Sequence, residues 1–308
     1  MKATRNLAFI TCVATLILIG VGVYVRATGS GLGCPDWPTC HGEIVPPHDQ
    51  QAVIEFSHRF VAAIVGILVI GTALLAWRNF KGHLAVLLPA TMAIPLVGIQ
   101  GGLGAITVVR ELPPEVVATH LLLAMVILTV MAATALGIFN AMREGIPPEQ
   151  RRSAFRISQR SMMALVFVAA VVWIGGYLGE SGASTACEGW PTCNGGIFPS
   201  ADDQQIFHMI HRYLAGLLVI PVAWAALAAW KERQIVPWSP HIAATLTMIY
   251  VLQVAAGALN VLYTFPDALT VTHTMLASLL WLSLSAAALL GISSKGLNTP
   301  PPPTQAPA

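Results

Sequence analysis

Apolar residues fill this chain in eight long runs separated by shorter polar stretches. The runs cover roughly residues 7–26, 56–78, 84–107, 116–140, 158–178, 206–230, 240–262 and 270–292. Each is close to the ~20 residues that an α-helix needs to cross the hydrocarbon core of a bilayer. Backbone N–H and C=O groups have no water to bond there, so every run is predicted to be helical. The expected fold class is an all-α polytopic membrane protein with eight transmembrane helices. The first run follows Lys2 and Arg5 as a signal peptide would, but lacks a small-residue cleavage site of the usual kind. It is counted as a span.

The runs repeat. His58-Arg59 returns as His211-Arg212, a step of 153 positions. At the same step Cys34, Trp37, Pro38, Thr39 and Cys40 return as Cys187, Trp190, Pro191, Thr192 and Cys193, Gln100 as Gln253, Gly104 as Gly257, and Thr119-His120 as Thr272-His273. Each repeat holds four spans, an even number, so both enter the membrane from the same side. Two tandem four-helix bundles, related by a pseudo-two-fold axis along the membrane normal, are expected. The division predicted is 1–140 for the first bundle, 141–157 for a linker carrying Pro147-Pro148 and a basic cluster, 158–292 for the second bundle, and 293–308 for a disordered, proline-rich tail.

Composition changes this picture little. Of 308 residues 56% are hydrophobic and 10% charged, and the mean hydropathy is +0.71, which excludes an ordinary soluble domain. The net charge of +2 gives no ground for a nucleic-acid partner. The placement of charge says more. All of the 16 Lys and Arg except Arg26, Arg59, Arg110 and Arg212 fall on one side of the spans. That side is cytoplasmic by the positive-inside rule, with both termini on it, in the cell membrane. The loops at 27–55 and 179–205 then face outward, where the pairs Cys34/Cys40 and Cys187/Cys193 can persist as disulfides. Either pair could be a structural staple, and Cys34/Cys40 a redox couple instead.

The chemistry concentrates at the outer ends of the spans. His58, His120, His211 and His273 lie a few residues inside spans two, four, six and eight, two per repeat and at one depth. Any one of them could be a hydrogen-bonded polar residue between helices. As two pairs they suit a heme iron held from both sides. His208 and His211 also share a face at i, i+3, which leaves zinc open there. Arg59 and Arg212 are either snorkelling cations or contacts to heme propionates. Glu55 lies three residues before His58, on the same face, and its repeat partner is His208. It reads either as a carboxylate favoured by the helix dipole, or as a base present in the first repeat alone. Gln100 and Gln253 read as amides bridging helices; His41, His48, His83 and His241 carry no assignment.

E-x-x-H-R opening span two, H-x-x-H-R opening span six, T-H opening spans four and eight, and a C-x5-C loop in each repeat resemble the heme A synthase family, in its bacterial branch with cysteine pairs. The resemblance covers residue 5 to about 292. It implies oxidation of the C8 methyl of heme O to a formyl group by successive hydroxylations, with water as the oxygen source, to supply heme A to cytochrome oxidase. It implies a heme b cofactor on His211 and His273, substrate heme on His58 and His120, and catalysis by Glu55. A heme O synthase is the implied donor of substrate, lipid surrounds the chain, homo-oligomers are compatible, and the electron acceptor stays open, with a quinone as candidate. The alternative is a di-heme, quinol-oxidising cytochrome b with no chemistry on the macrocycle.

Overall fold

The computed structural model describes residues 1–142 and 148–293, with 148–149 and 291–293 described by backbone alone. Among the described residues there are eight helices long and apolar enough to cross a membrane. They are α1 (Lys2–Ala27), α2 (Gln50–Asn79), α3 (Leu84–Val109), α4 (Pro114–Ala141), α5 (Pro148–Glu180), a sixth span broken into α6 (Asp203–Leu217) and α7 (Val219–Lys231), α8 (Ser239–Leu262) and α9 (Asp267–Ser293). The chain is an all-helical, multi-pass membrane protein.

Several helices begin before their apolar runs. Asp49 caps α2 by accepting the Ala52 N–H at 3.1 Å, and Asp202 caps α6 by accepting from Gln204 and Gln205 at 2.8 and 3.1 Å. These caps satisfy N–H groups that a helix start leaves open, so polar turns precede the apolar ones. The expected boundary at 158 needs correction. Residues 148–157, read as linker, are the first turns of α5, and Arg156 there pairs with Glu232 at 2.9 Å, beyond the end of α7. Arg160 lies over the Trp224 ring at 5.0 Å. A basic amphipathic extension with such partners continues a helix that an apolar window truncates. The rest of the expected linker, 143–147, and the tail from 294 onward lie outside the described residues. The break at Leu218 has a local cause too. Pro221 lacks an N–H and crowds the carbonyl four residues back, while the Tyr250 hydroxyl donates to the nearby Ala215 carbonyl at 2.9 Å.

Around the first four helices the packing closes as a ring, α1 on α2, α2 on α3, α3 on α4 and α4 on α1. From α5 to α9 the same order recurs, and α4 and α1 pack against α9 while α4 packs against α5. Met125, Leu128, Met131, Leu246, Leu280 and Leu284 are fully buried in this core. Lipid tails are as apolar as leucine, so helix association here rests on close packing and buried hydrogen bonds. Ala73, Ala76, Ala90 and Ala93 supply small surfaces. The Trp281 indole donates to Thr129 at 2.7 Å, and the Thr129 and Ser285 hydroxyls meet at 2.9 Å, tying α4 to α9.

Candidate functional site

The loops at one end of the bundle, 28–49 and 181–202, each fold over the start of the following helix. Cys34–Cys40 and Cys187–Cys193 are disulfides. The two loops share cis peptides at Trp37-Pro38 and Trp190-Pro191, and left-handed turns at His41-Gly42 and Asn194-Gly195. An arginine holds each loop. Arg59 donates to the carbonyls of Cys34, Asp36 and Thr39 at 2.8–2.9 Å. Arg212 donates to those of Gly189 and Thr192 at 3.0 and 2.8 Å, and to Cys187 at 3.4 Å. The expected propionate contacts thus have competition: in both arginines Nη1 and Nη2 bond the loop. Arg212 Nε is left buried with no partner.

Glu55 is 3% exposed beneath the first loop. One carboxylate oxygen takes the Arg59 guanidinium at 2.5 Å and the other takes the Cys34 N–H at 2.8 Å. The i, i+4 spacing puts Glu55 and Arg59 on one face of α2. The N–H contact depends on Gly33, since a Cβ there would lie 2.3 Å from the Gln51 carbonyl carbon. The loop can press on the start of α2 only without a side chain. At the repeat-related place stands Ala186, and His208 replaces Glu55. His208 is buried and its Nδ1 faces the Ala183 carbonyl at 3.0 Å. A carbonyl only accepts, so Nδ1 carries the proton, and His208 faces its own loop.

Asp36 organises the turn of the first loop from outside the spans. It accepts from the Thr39 hydroxyl, the His41 N–H at 2.5 Å and the Gly42 N–H at 2.9 Å. Those bonds, Thr39 first, hold its carboxyl down to about 2. His41, unassigned from the sequence, places Nε2 against the Gly33 carbonyl at 3.0 Å.

Below the loops lie the four histidines. His58 on α2 and His120 on α4 are seated against α1 and α3, each of which packs on both α2 and α4, and His211 on α6 and His273 on α9 are seated against α5 and α8. Each imidazole lies against a glycine of a neighbouring helix. A Cβ would stand 3.0 Å from His58 Cε1 at Gly22, 3.3 Å from His120 at Gly104, and 2.9 Å from His211 at Gly175 and from His273 at Gly257. Gly22 and Gly175 are repeat partners, as are Gly104 and Gly257, so both rings of each pair are seated alike. Buried ring nitrogens without partners accompany the seats: Nδ1 of His58, His120 and His211. The glutamines belong here as well. Gln100 Nε2 donates to the His120 carbonyl at 3.0 Å. The Gln253 carbonyl lies 3.2 Å from His273 Nδ1 and its side-chain amide 3.3 Å from Nε2. Nδ1 must then be the protonated nitrogen, and Nε2 accepts the Gln253 amide N–H, a bond that a metal at Nε2 would displace. Oε1 of both glutamines is buried and unpartnered. Paired, partly buried imidazoles, orphaned polar atoms around them and glycines that a side chain would fill together fit a flat, metal-centred ligand in each half.

Sequence reasoning placed the four histidines together in pairs and missed their seats. The signal was the recurrence of Gly22 as Gly175, visible at the same step. The glutamines do bridge helices as expected, Gln100 from α3 to the His120 carbonyl of α4 and Gln253 from α8 to the His273 ring of α9.

The fold and site define a multi-pass helical membrane protein with two partly buried histidine pairs beneath disulfide-closed loops. The model of the cytochrome oxidase assembly protein family matches residues 5–285, and the chain belongs to that family. Among curated relatives it is similar to Heme A synthase of Shouchella clausii, 32% identical over 303 residues covering 94% of this chain and 97% of that one. It is also similar to Heme A synthase of Alkalihalophilus pseudofirmus, 29% identical with 92% and 96% covered, and of Symbiobacterium thermophilum, 31% identical with 92% and 94% covered.

Proposed function

We propose that this chain is a heme A synthase, an oxidoreductase that turns the C8 methyl of heme O into a formyl group. Membership of the family and relatives so named support the activity. One observation carries the assignment of roles: both halves seat a histidine pair against glycines, but a buried carboxylate, Glu55, stands three residues before the first histidine in the first half, where the second has His208. His58 and His120 are the axial ligands of the substrate heme, in the half 1–140. His211 and His273 hold a resident heme b, in the half that begins with α5. The two halves are tandem four-helix bundles related by a pseudo-two-fold axis along the membrane normal, with both termini cytoplasmic in the cell membrane.

The reaction balances with water as oxygen source. The methyl carbon and one water give a hydroxymethyl group, two protons and two electrons. A second such step gives a gem-diol, two more protons and two more electrons, and loss of water leaves the formyl group. A quinone takes two electrons and two protons, so two are reduced for each formyl group formed. Glu55 is the base: each carboxylate oxygen keeps a lone pair beyond its bond to Arg59 or Cys34, and accepts a proton from the attacking water. Arg59 fixes the carboxylate while gripping the loop. The orphaned Nε of Arg212 is the donor available to a heme propionate in the second half. When bound, heme b supplies one-electron redox capacity beside the substrate half. A heme O synthase delivers the substrate through the surrounding lipid, and homo-oligomers are compatible with the arrangement.

Heme extraction from cells expressing this chain with a heme O synthase tests the reading. Heme A in the extract is expected. An extract with heme O and heme B alone contradicts it and favours a di-heme, quinol-oxidising cytochrome b.

A further inference from the structure

Arg26 and Glu180, at the loop end of α1 and α5, are two opposite charges that neither hydrogen-bond nor reach water freely. Arg26 Nε lies 3.8 Å from Glu180 Oε1, with side chains 26% and 13% exposed. Among the described residues neither side chain has another polar partner. As a staple between helices this pair is poor: it bears the desolvation of two charges without the hydrogen bonds that offset it. The chain nevertheless builds room for it. A Cβ at Gly179 would lie 1.6 Å from Arg26 Nη1. Arg26 and Gly179 are repeat partners, so one half supplies the guanidinium and the other supplies the space. α1 also packs against α9, and Gly179 stands one turn along α5 from Gly175, against which the His211 imidazole is seated. The guanidinium of the first half therefore lies one helical turn from a histidine seat of the second.

We propose that Arg26 is a carboxylate-binding residue for the ligand held by His211 and His273, contributed across the boundary between the halves. The assignment rests on the reading that this pair holds a heme, whose propionates are the carboxylates in question. A planar guanidinium with free Nη1 and Nη2 suits bidentate capture of a carboxylate. Glu180 loosely aims it until the ligand arrives. The same cation beside the iron favours the reduced, less positive state.

The test uses purified full-length protein, loaded with heme, and reads heme retention and midpoint potential. Arg26→Gln is expected to speed loss of the second-half heme and to shift its reduction equilibrium about tenfold toward the oxidised form. Arg26→Lys keeps the potential but still loses heme faster. Glu180→Gln moves the potential the opposite way and retains heme. If the pair were only a helix staple, Arg26→Gln and Glu180→Gln would act alike, and that result overturns the proposal. Gly179→Ala guards against misfolding of the arginine variants: it keeps Arg26 but displaces it, and should also weaken retention. Unchanged retention and potential in both Arg26→Gln and Gly179→Ala also overturn it. Wild-type protein with no bis-histidine spectrum removed by His211→Ala defeats the heme reading instead, and is distinct from either result.

Discussion

At the scale of single residues the account rests on what each histidine touches. The glycine seats predict a graded response. Gly175→Ala and Gly257→Ala would put Cβ 2.9 Å from an imidazole carbon, closer than packed atoms sit, so the ring must move. Gly104→Ala, at 3.3 Å, needs a shift of only a few tenths of an ångström. In protein purified with heme O bound as well, Gly175→Ala and Gly257→Ala should lose the bis-histidine signature of the second-half heme, while Gly104→Ala keeps most of that of the first-half heme. A second prediction concerns Asp36. Its folded value lies below the ordinary carboxylate range, so its bonds contribute fully above about pH 4 and are lost as pH falls through about 2. As pH falls through that window, hydrogen exchange at the His41 and Gly42 amides should rise towards the rate of free peptide at the same pH. In Asp36→Ala, which removes both acceptor oxygens, these amides should exchange fast throughout. The histidines themselves were legible, because a ligand leaves its residue type in the chain and the repeat doubled the signal. The environment of Glu55 was not. That Arg59 would pair with Glu55 and also grip three loop carbonyls depends on the turn at Cys34–Gly42, which no spacing rule describes.

Among helices the caps and breaks set the site's depth. Asp202 accepts two N–H groups and starts α6 two turns before His208 and His211. Asp202→Ala should cost about 1 kcal/mol of stability, read as a lower midpoint of thermal unfolding in detergent, and should fray the turn carrying Gln204 and Gln205 first. Spans were legible as apolar runs, since a bilayer admits few other solutions. Their ends were not: the first turns of α2 and α6 are polar, and α5 begins ten residues before its apolar run, held by Arg156 to Glu232. Hydropathy sees lipid-facing length, whereas caps and ion pairs decide where a helix starts. The break at Leu218 was not legible from Pro221 alone, because α3 runs unbroken through Pro89 and Pro95, and it also takes the Tyr250 hydroxyl on the Ala215 carbonyl.

For the whole molecule, the recurrence at 153 positions organises helices, loop turns, arginine grips and glycine seats alike. Departures from it then mark where the halves differ: Glu55 against His208, Gly33 against Ala186, Arg26 against Gly179. The first two belong together, because the missing side chain at Gly33 brings the Cys34 N–H to the carboxylate. The central claim is that shared residues hold heme and the unshared carboxylate does the chemistry. It is tested most directly by assaying Glu55→Gln beside His211→Ala and His273→Ala, in protein purified from cells that also make heme O. The account predicts that Glu55→Gln keeps the b-type, low-spin spectrum but leaves heme O unconverted, while either histidine variant loses that spectrum. Conversion of heme O by Glu55→Gln at the wild-type rate would contradict it.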